Sequence, residues 1–396
     1  MISFEEAYRI VMESARLLGS EHVSLPESLH RVLAEDVASD MDMPPFNKSA
    51  MDGYACRRHD LPRPLRVVEI IQAGYTPTQP IDAGCCAKIM TGAQVPEGAD
   101  CVVMVEYTEV LDDGGVCFTG EDTAANICTR GEDIRAGDVV LRAGTLVEPQ
   151  HIAVLATVGC VKPRVSKCPR VGIVATGDEL VEPEVCPGPS QIRTSNSYQL
   201  CAQTVRAGSV PTYYGIVRDT EADIGAAMKR AMVANDVIIM SGGVSMGDYD
   251  LVPSVMRGNG FDILFDSVAV KPGKPTTFAV SRSGSRSRAH WCFGLPGNPV
   301  STFIQFEILI KPFLYRLMGH DYQPAYQVVP LTKTIHRRKT DRETWIPVRT
   351  DGRGASACEF HGSAHLNALT EATGFVVMPA DVAELKEGVL VHVRSI

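Results

Sequence analysis

The run Val237-Ile-Ile-Met240, which breaks at once into Ser241-Gly242-Gly243, constrains the fold more than any other stretch of the chain. A short apolar segment followed by glycines is the pattern of a buried strand that ends in a loop of bare backbone. Without Cβ atoms, such a loop lets main-chain N–H groups approach a phosphate closely. Two carboxylates, Asp248 and Asp250, follow within one turn. An anion cradle beside acidic side chains fits a phosphorylated ligand held together with a divalent cation. One Gly-Gly alone is equally a convenient strand-to-helix connection, so what matters is how many such loops the region contains.

The surrounding sequence alternates strand and helix. Val171–Ala175 is a continuous apolar strand, and Ser195 or Asn196 can cap a helix through Ala207. Val210–Ile216 reads as a strand, Ile224–Val233 as a helix, and Leu251–Gly258 as another helix. Phe261–Val270 contains a further strand, Pro275–Val280 pairs with Trp291–Phe293 as a hairpin, and a long helix runs from Pro299 to about Met318. This alternation implies a parallel sheet covered on both faces. Ligands of such sheets bind beyond the carboxyl ends of the strands. The Ser/Arg run 281–288 reads as a solvated hairpin tip rather than an RNA-binding tract.

A chain of 396 residues exceeds one ordinary core and implies about three or four domains. Residues 3–18 show helical spacing, with Ser3 as N-cap and Glu6 completing a capping box. A second short helix is expected over Leu25 to Glu35. The stretch Met43-Pro-Pro-Phe-Asn-Lys-Ser-Ala-Met-Asp-Gly-Tyr54 cannot be regular helix, and its Asp52-Gly53 marks a turn. Val67–Ile71, Ala87–Met90, Cys101–Val105 and Val139–Leu141 read as short strands. The expected layout is therefore a mixed N-terminal region (1–168, from about 1–42 and 143–168) with an inserted β-rich domain (about 43–142). A three-layer α/β domain (169–319) and a small C-terminal β barrel (320–396) follow. The last rests on Gln327–Leu331, Thr344–Val348, Gly374–Met378 and Val389–Val393.

The formal net charge of −9 argues against broad nucleic-acid binding, which needs a basic face, but permits a local basic pocket. No signal-peptide pattern opens the chain and no apolar run approaches a bilayer span, so a cytoplasmic protein with no membrane partner is expected. None of the twelve cysteines forms a Cys-x-x-Cys pair, and Cys85-Cys86 are adjacent; they read as reduced, mostly buried thiols without chemistry.

Four glycine-bearing loops fall in the one α/β unit: Thr176-Gly-Asp-Glu179, Ser241-Gly-Gly-Val-Ser245, Lys271-Pro-Gly-Lys-Pro275 and Leu295-Pro-Gly-Asn-Pro299. Neither a Walker-type loop nor Gly-x-Gly-x-x-Gly after the first strand is present, which removes the main support for an ATPase or a dinucleotide dehydrogenase. Prolines stiffen the turn that carries Lys271 and Lys274, so its positive charge is placed in advance for a phosphate or another tetrahedral oxyanion. Asn298 can cap the long helix, whose N-terminus favours anions. Glu179, Asp219, Asp248 and Asp250 are the acidic candidates, of which two or three could hold Mg²⁺. Asp219 alone is as readily the N-cap of a helix starting near Glu221. Asp52 reads by itself as a turn residue that can meet the α/β unit only across a domain or subunit boundary.

With these residues the chain resembles the molybdopterin molybdenumtransferase (MoeA) family, which includes the gephyrin E domain. The resemblance is carried by Pro45-Phe46, Ser49-Ala-Met-Asp-Gly-Tyr-Ala55, Lys88-Ile-Met-Thr-Gly-Ala93, Pro96-Glu-Gly-Ala-Asp100 and the four α/β loops in order. It implies a homodimer that uses molybdate and adenylylated molybdopterin to form molybdenum cofactor and AMP, assisted by Mg²⁺. A molybdopterin adenylyltransferase could hand over the intermediate. By motif it implies roles for Asp52, Thr91 and Asp133 from the N-terminal region. Glu179, Asp219 and Asp250 would serve the nucleotide, metal and pterin, beside the loop residues Thr176, Gly177, Ser241, Gly242, Gly243, Ser245, Pro275, Gly297 and Asn298. Lys271, Lys274 and Ser301 would form the molybdate cradle, with Arg342, Arg349 and Ser363 as C-terminal oxyanion contacts. Two departures stand out: Ser267 where relatives often carry a basic residue, and Asn367-Ala368 where they often show Ser-Ser. Adenylyltransferase-type activity and a gephyrin-like scaffold are the competing readings. The first predicts a free-standing α/β domain, the second an extra pterin domain or long linker.

Overall fold

The computed structural model describes residues 1–243, 251–281, 290–359 and 362–396. Helix α1 (Phe4–Ser14) starts where Ser3 Oγ accepts the Glu6 N–H at 3.1 Å, and it buries Ala7 and Val11. It stops at Ser14 rather than continuing to residue 18; Leu17 is left exposed while Leu18 packs back on the core. The helix expected over Leu25–Glu35 does not form. Only a 3-10 turn, Pro26–Ser28, appears there. The reason lies in tertiary pairing: the His30 and Leu33 N–H groups donate to Val147 and Thr145, and Val32 and Leu33 bridge Leu146 and Val165. A backbone donor committed to a distant strand cannot also close a helical turn.

The next sheet is built from β1 (Gly53–Cys56), β2 (Arg66–Ile71), β3 (Cys85–Ile89) and β4 (Cys101–Met104), in the order β2-β3-β1-β4. Strand β1 stands where the sequence pattern indicates only a turn. Asp52-Gly53 does not merely turn the chain; Gly53 opens a fully buried internal strand. Cys56 lies in register with both Cys86 and Cys101, in one apolar cluster, with the Cys56 and Cys101 sulfurs 3.6 Å apart. The cysteines are free thiols, and Cys186 alone among them is exposed.

The chain returns through α2 (Pro149–Thr157) to the large mixed sheet. Its elements are β5 (Arg170–Thr176), α3 (Asn196–Arg206), β6 (Val210–Val217), α4 (Glu221–Ala234), β7 (Val237–Ser241), α5 (Val252–Gly258) and β8 (Phe261–Phe265). A short β9 (Val270–Lys271) precedes the hairpin of β10 (Thr277–Ser281) and β11 (Trp291–Leu295). The strand order is β6-β5-β7-β11-β10-β8. The first four run parallel, while β10 and β8 alternate in direction, so the expected parallel sheet carries an antiparallel edge. Successive side chains leave opposite faces of a strand. Val237 and Ile239 accordingly join one core with Leu200, Phe293 and Phe313, and Ile238 and Met240 join another with Ile224, Ala227 and Val252. Helices on both faces make this unit three layers.

The long helix expected from Pro299 to Met318 is present, but it is interrupted. Helix α6 (Pro299–Gln305) passes through a π turn (Phe306–Ile310) into α7 (Lys311–Leu317). Pro312 has no N–H to return to the preceding turn, and the ladder widens just before it. Buried Glu307 in the π turn accepts from Gln203 Nε2 at 2.7 Å and Lys311 Nζ at 3.1 Å, and pairs with Arg206. Its carbonyl accepts from Arg394 Nη2 at 2.7 Å, which ties the last strand of the chain to this helix.

The C-terminal sheet comprises β12 (Tyr326–Pro330), β13 (Glu343–Thr350), β14 (Ala355–Ala357), β15 (Gly374–Met378) and β16 (Leu390–Ser395). The order is β9-β13-β15-β16-β12, with β14 on β13. Strand β9 belongs here: Val270 and Lys271 run parallel to Glu343 and Thr344. The Lys271 turn therefore hangs from the C-terminal sheet on one side and leads into the α/β hairpin on the other. Among the described residues, no helix is long and apolar enough to cross a membrane.

Candidate active site

A cavity of about 570 Å³ opens beyond the carboxyl ends of β5, β7 and β11, where a mostly parallel sheet places its ligands. The β5 loop contributes Thr176, Gly177 and Glu179, and the β7 loop contributes Ser241, Gly242 and Gly243. Gly297 and Asn298 come from the β11 loop, and Pro275 from the lysine turn. Asp219 closes one side, and Ala364 and Leu366 arrive from the C-terminal region. The β5 and β7 exits can meet because Gly242 adopts φ +102°. A Cβ there would lie 2.3 Å from the Thr176 carbonyl oxygen.

The acidic wall is poorly satisfied. The N-cap of α4 is Thr220, whose hydroxyl accepts the Asp223 N–H at 3.1 Å, so Asp219 is not spent on capping. Asp219 donates its own N–H to Asp178 Oδ1 at 3.3 Å, while its buried Oδ1 has no hydrogen-bond partner among the described residues. Burial holds its carboxyl above the ordinary carboxylate range and the charges of Asp178 and Glu179 add to this, against a smaller opposing pull from the Asp178 backbone N–H and the Thr176 hydroxyl nearby. Among the described residues, no three His, Cys, Asp or Glu side chains converge as a ready-made metal site. Ser245, Asp248 and Asp250 lie outside the described residues, as does most of the Ser/Arg run.

Lys271 and Lys274 are exposed and stand outside the cavity lining, although Pro275 of their turn is part of it. Ser301 is buried on α6 and also absent from the lining. Ser363 reaches the rim, where its Oγ accepts from Asn298 Nδ2 at 2.8 Å and its carbonyl takes the Val300 N–H at 3.1 Å. Arg342 contacts Asp341 at 3.2 Å and the Val270 carbonyl at 3.5 Å, beside the lysine turn. Arg349 points elsewhere, 4.0 Å from Glu371 on an exposed surface.

The N-terminal candidates do not line the cavity of their own chain. Asp52 Oδ1 accepts both the Thr91 N–H, at 2.6 Å, and the Thr91 hydroxyl, at 2.7 Å. These bonds hold its carboxyl below the ordinary range. Asp133 is exposed, and its N–H donates to the Met43 carbonyl at 3.1 Å.

Asn196 and Arg193 are among the lining residues that have no place in the sequence reading of the site. Asn196 was expected only as a helix cap. Its Nδ2 donates to Ser241 Oγ at 2.9 Å and to the Gly297 carbonyl at 2.8 Å, which ties the β7 and β11 loops together. Arg193 brings an exposed cation to the same cavity. The available signal was a polar amide at the start of a helix, which is also what a simple cap looks like.

Three family models match the chain in order. They are the MoeA N-terminal region (domain I and II) over residues 2–159, a probable molybdopterin binding domain over 172–316, and the MoeA C-terminal region (domain IV) over 329–396. The molybdopterin molybdenumtransferase of Bacillus subtilis (strain 168) is 34% identical over an alignment of 410 positions that covers 100% of this chain and 94% of the relative. A protein of the same name from Staphylococcus epidermidis is 33% identical over 99% of this chain and 95% of its own length. Among solved structures, the molybdopterin biosynthesis moeA protein from Pyrococcus horikoshii OT3 matches with a TM-score of 0.86 at 28% identity, covering 100% of both chains.

Proposed function

This chain belongs to the MoeA family, and from that premise we propose that it inserts molybdenum from molybdate into adenylylated molybdopterin, releasing AMP and forming molybdenum cofactor. The observation that carries this reading is the cavity into which the glycine loops of β5, β7 and β11 open, with a buried Asp219 carboxylate oxygen in its wall that makes no well-formed hydrogen bond among the described residues. The bare backbone of Gly242, Gly243 and Gly297 suits the phosphates of the adenylylated pterin. Asn196 fixes two of those loops against each other, so little reorganisation is needed when the ligand arrives.

Asp219 and Glu179 offer hard oxygen donors, and the lone pairs that Asp219 Oδ1 leaves unengaged among the described residues fit Mg²⁺, with Asp250 as a further ligand. Held by these carboxylates, Mg²⁺ would neutralise charge on the phosphoanhydride. Lys271 and Lys274 hold the molybdate dianion beside the cavity, aided by Arg342 next to their turn and Ser363 at the rim, whereas Arg349, which faces Glu371, and buried Ser301 are not placed to join them. The protein's own work is proximity: it binds the pterin on the glycine loops and presents molybdate from the lysine turn. No protein nucleophile is needed.

Asp52, Thr91 and Asp133 take part in this reading across a subunit boundary, as a homodimer allows. The proposed domains are 1–42 with 143–168, 43–142, 169–319 and 320–396. The last is read as a small barrel whose ends meet at the Leu331–Ala355 bridge. A cytoplasmic location and hand-over from a molybdopterin adenylyltransferase complete the proposal. To test it, purified protein is supplied with adenylylated molybdopterin and Mg²⁺, and AMP is followed with and without molybdate. Molybdate-stimulated AMP release is expected; release indifferent to molybdate, or none, refutes the reading.

A further inference from the structure

Building on the reading that Lys271 and Lys274 hold the incoming oxyanion, we infer that Gln305 is a positioning residue that seats their turn and so sets where the two ammonium groups stand. Gln305 is the last residue of α6 and is fully buried, away from the cavity lining. A primary amide is costly in such a place unless its hydrogen bonds are made. Its Nε2 reaches the Pro272 carbonyl at 3.4 Å, and its Oε1 has no partner among the described residues. An apolar side chain of the same length would suit the core better, so the amide is accounted for by what it does under the turn.

The fit between the two is close. Gly273 has φ +113°, and a Cβ on it would lie 2.3 Å from Gln305 Nε2. Pro272 and Gly273 are buried against the amide, whereas Lys271 and Lys274 on either side of them are exposed. The rest of the turn closes on itself: Thr276 Oγ1 donates to the Gly273 carbonyl at 2.8 Å, and the Thr276 N–H to the Lys274 carbonyl at 2.9 Å. On its far side Lys271 is paired with Thr344 of the C-terminal sheet. Of these three anchors, Gln305 comes from α6, the helix whose Asn298 lines the cavity. It thereby couples the position of the lysines to the wall that receives the pterin.

Two variants test this. Gln305→Met keeps the length and removes the donor. Gln305→Glu keeps the shape and makes the donor conditional: a protonated carboxyl can donate to the Pro272 carbonyl, and a carboxylate cannot. With molybdate-stimulated AMP release as the assay, Gln305→Met is expected to raise the KM for molybdate about 2- to 10-fold with a smaller change in kcat, the worth of one hydrogen bond. Gln305→Glu is expected to show a KM that falls toward the wild-type value as the pH is lowered from 8.5 to 6, a trend the wild type lacks. Wild-type activity with unchanged molybdate KM in both variants overturns the role of Gln305 alone. Loss of the folded state in both variants assigns Gln305 to the core and overturns it equally. A wild type that ignores molybdate overturns the functional reading, and this inference with it.

Discussion

Asp52 and Asp219 both stand at loop positions next to strands, and the structure treats them in opposite ways. Asp52 is satisfied twice by one neighbour, the backbone and hydroxyl of Thr91, and its carboxyl is held below the ordinary range by those bonds. Asp219 has a buried oxygen with no well-formed hydrogen bond among the described residues, sits beside Asp178 and Glu179, and is held above the ordinary range by burial and by those charges. The first carboxylate stabilises its own loop. The second is in an arrangement that folding alone does not favour, which a bound cation would relieve. Sequence motifs put the two on an equal footing; the hydrogen bonds do not.

The largest effect that can break this contrast is expected away from both residues. Lys271→Ala should lower molybdate-stimulated AMP release about 10²- to 10³-fold, the scale for loss of one preorganised charge-stabilising group. A milder loss would place the oxyanion elsewhere. Asp219→Asn should lower the same rate about 100-fold, on the scale of a disturbed metal site, and should abolish the rise in Tm that Mg²⁺ gives the wild type. Retention of that Mg²⁺ response would remove Asp219 from the metal.

The stabilities sharpen the contrast further. Because folding raises the Asp219 carboxyl, its ionised form opposes folding once the pH exceeds the unfolded carboxylate range. Asp219→Asn should therefore raise Tm at pH 7, and the gain should fade as the pH falls below that range. Folding lowers the Asp52 carboxyl, so its contribution is present above the unfolded carboxylate range and is lost as the pH falls through its folded value. Asp52→Ala should lower Tm at pH 7, with the difference closing in acid. Thermal denaturation of both variants from pH 3 to 8 checks the opposite signs. The smallest effect is expected for Ser363→Ala, which removes the acceptor of one rim hydrogen bond from Asn298 and should change the KM only a few-fold, by about 1 kcal/mol or less.

Much of the α/β unit was legible because its buried strands are continuous apolar runs and its helices keep their period. The loops at strand ends could be read from glycines alone, and the cavity they form follows from parallel topology. What failed did so for identifiable reasons. Leu25–Glu35 has helical composition, but its backbone is claimed by residues 145–147 and by Val165. The turn reading of Asp52-Gly53 hid a strand because the partners, Ile89 and Met104, are distant in sequence. The alignment of Cys56, Cys86 and Cys101 depends on strand register, which no spacing reveals. Asn196 and Gln305 act through single amide contacts across the fold, and periodicity carries no trace of those.

The placement of molybdate is most directly read from crystals grown with AMP, Mg²⁺ and molybdate, using anomalous scattering at the molybdenum edge. The expected peak lies within hydrogen-bonding reach of both Lys271 Nζ and Lys274 Nζ, beside a cavity holding AMP between the β5, β7 and β11 loops. A molybdenum peak remote from both lysines, or AMP bound outside those loops, would contradict a shared site for the pterin phosphate and the incoming oxyanion.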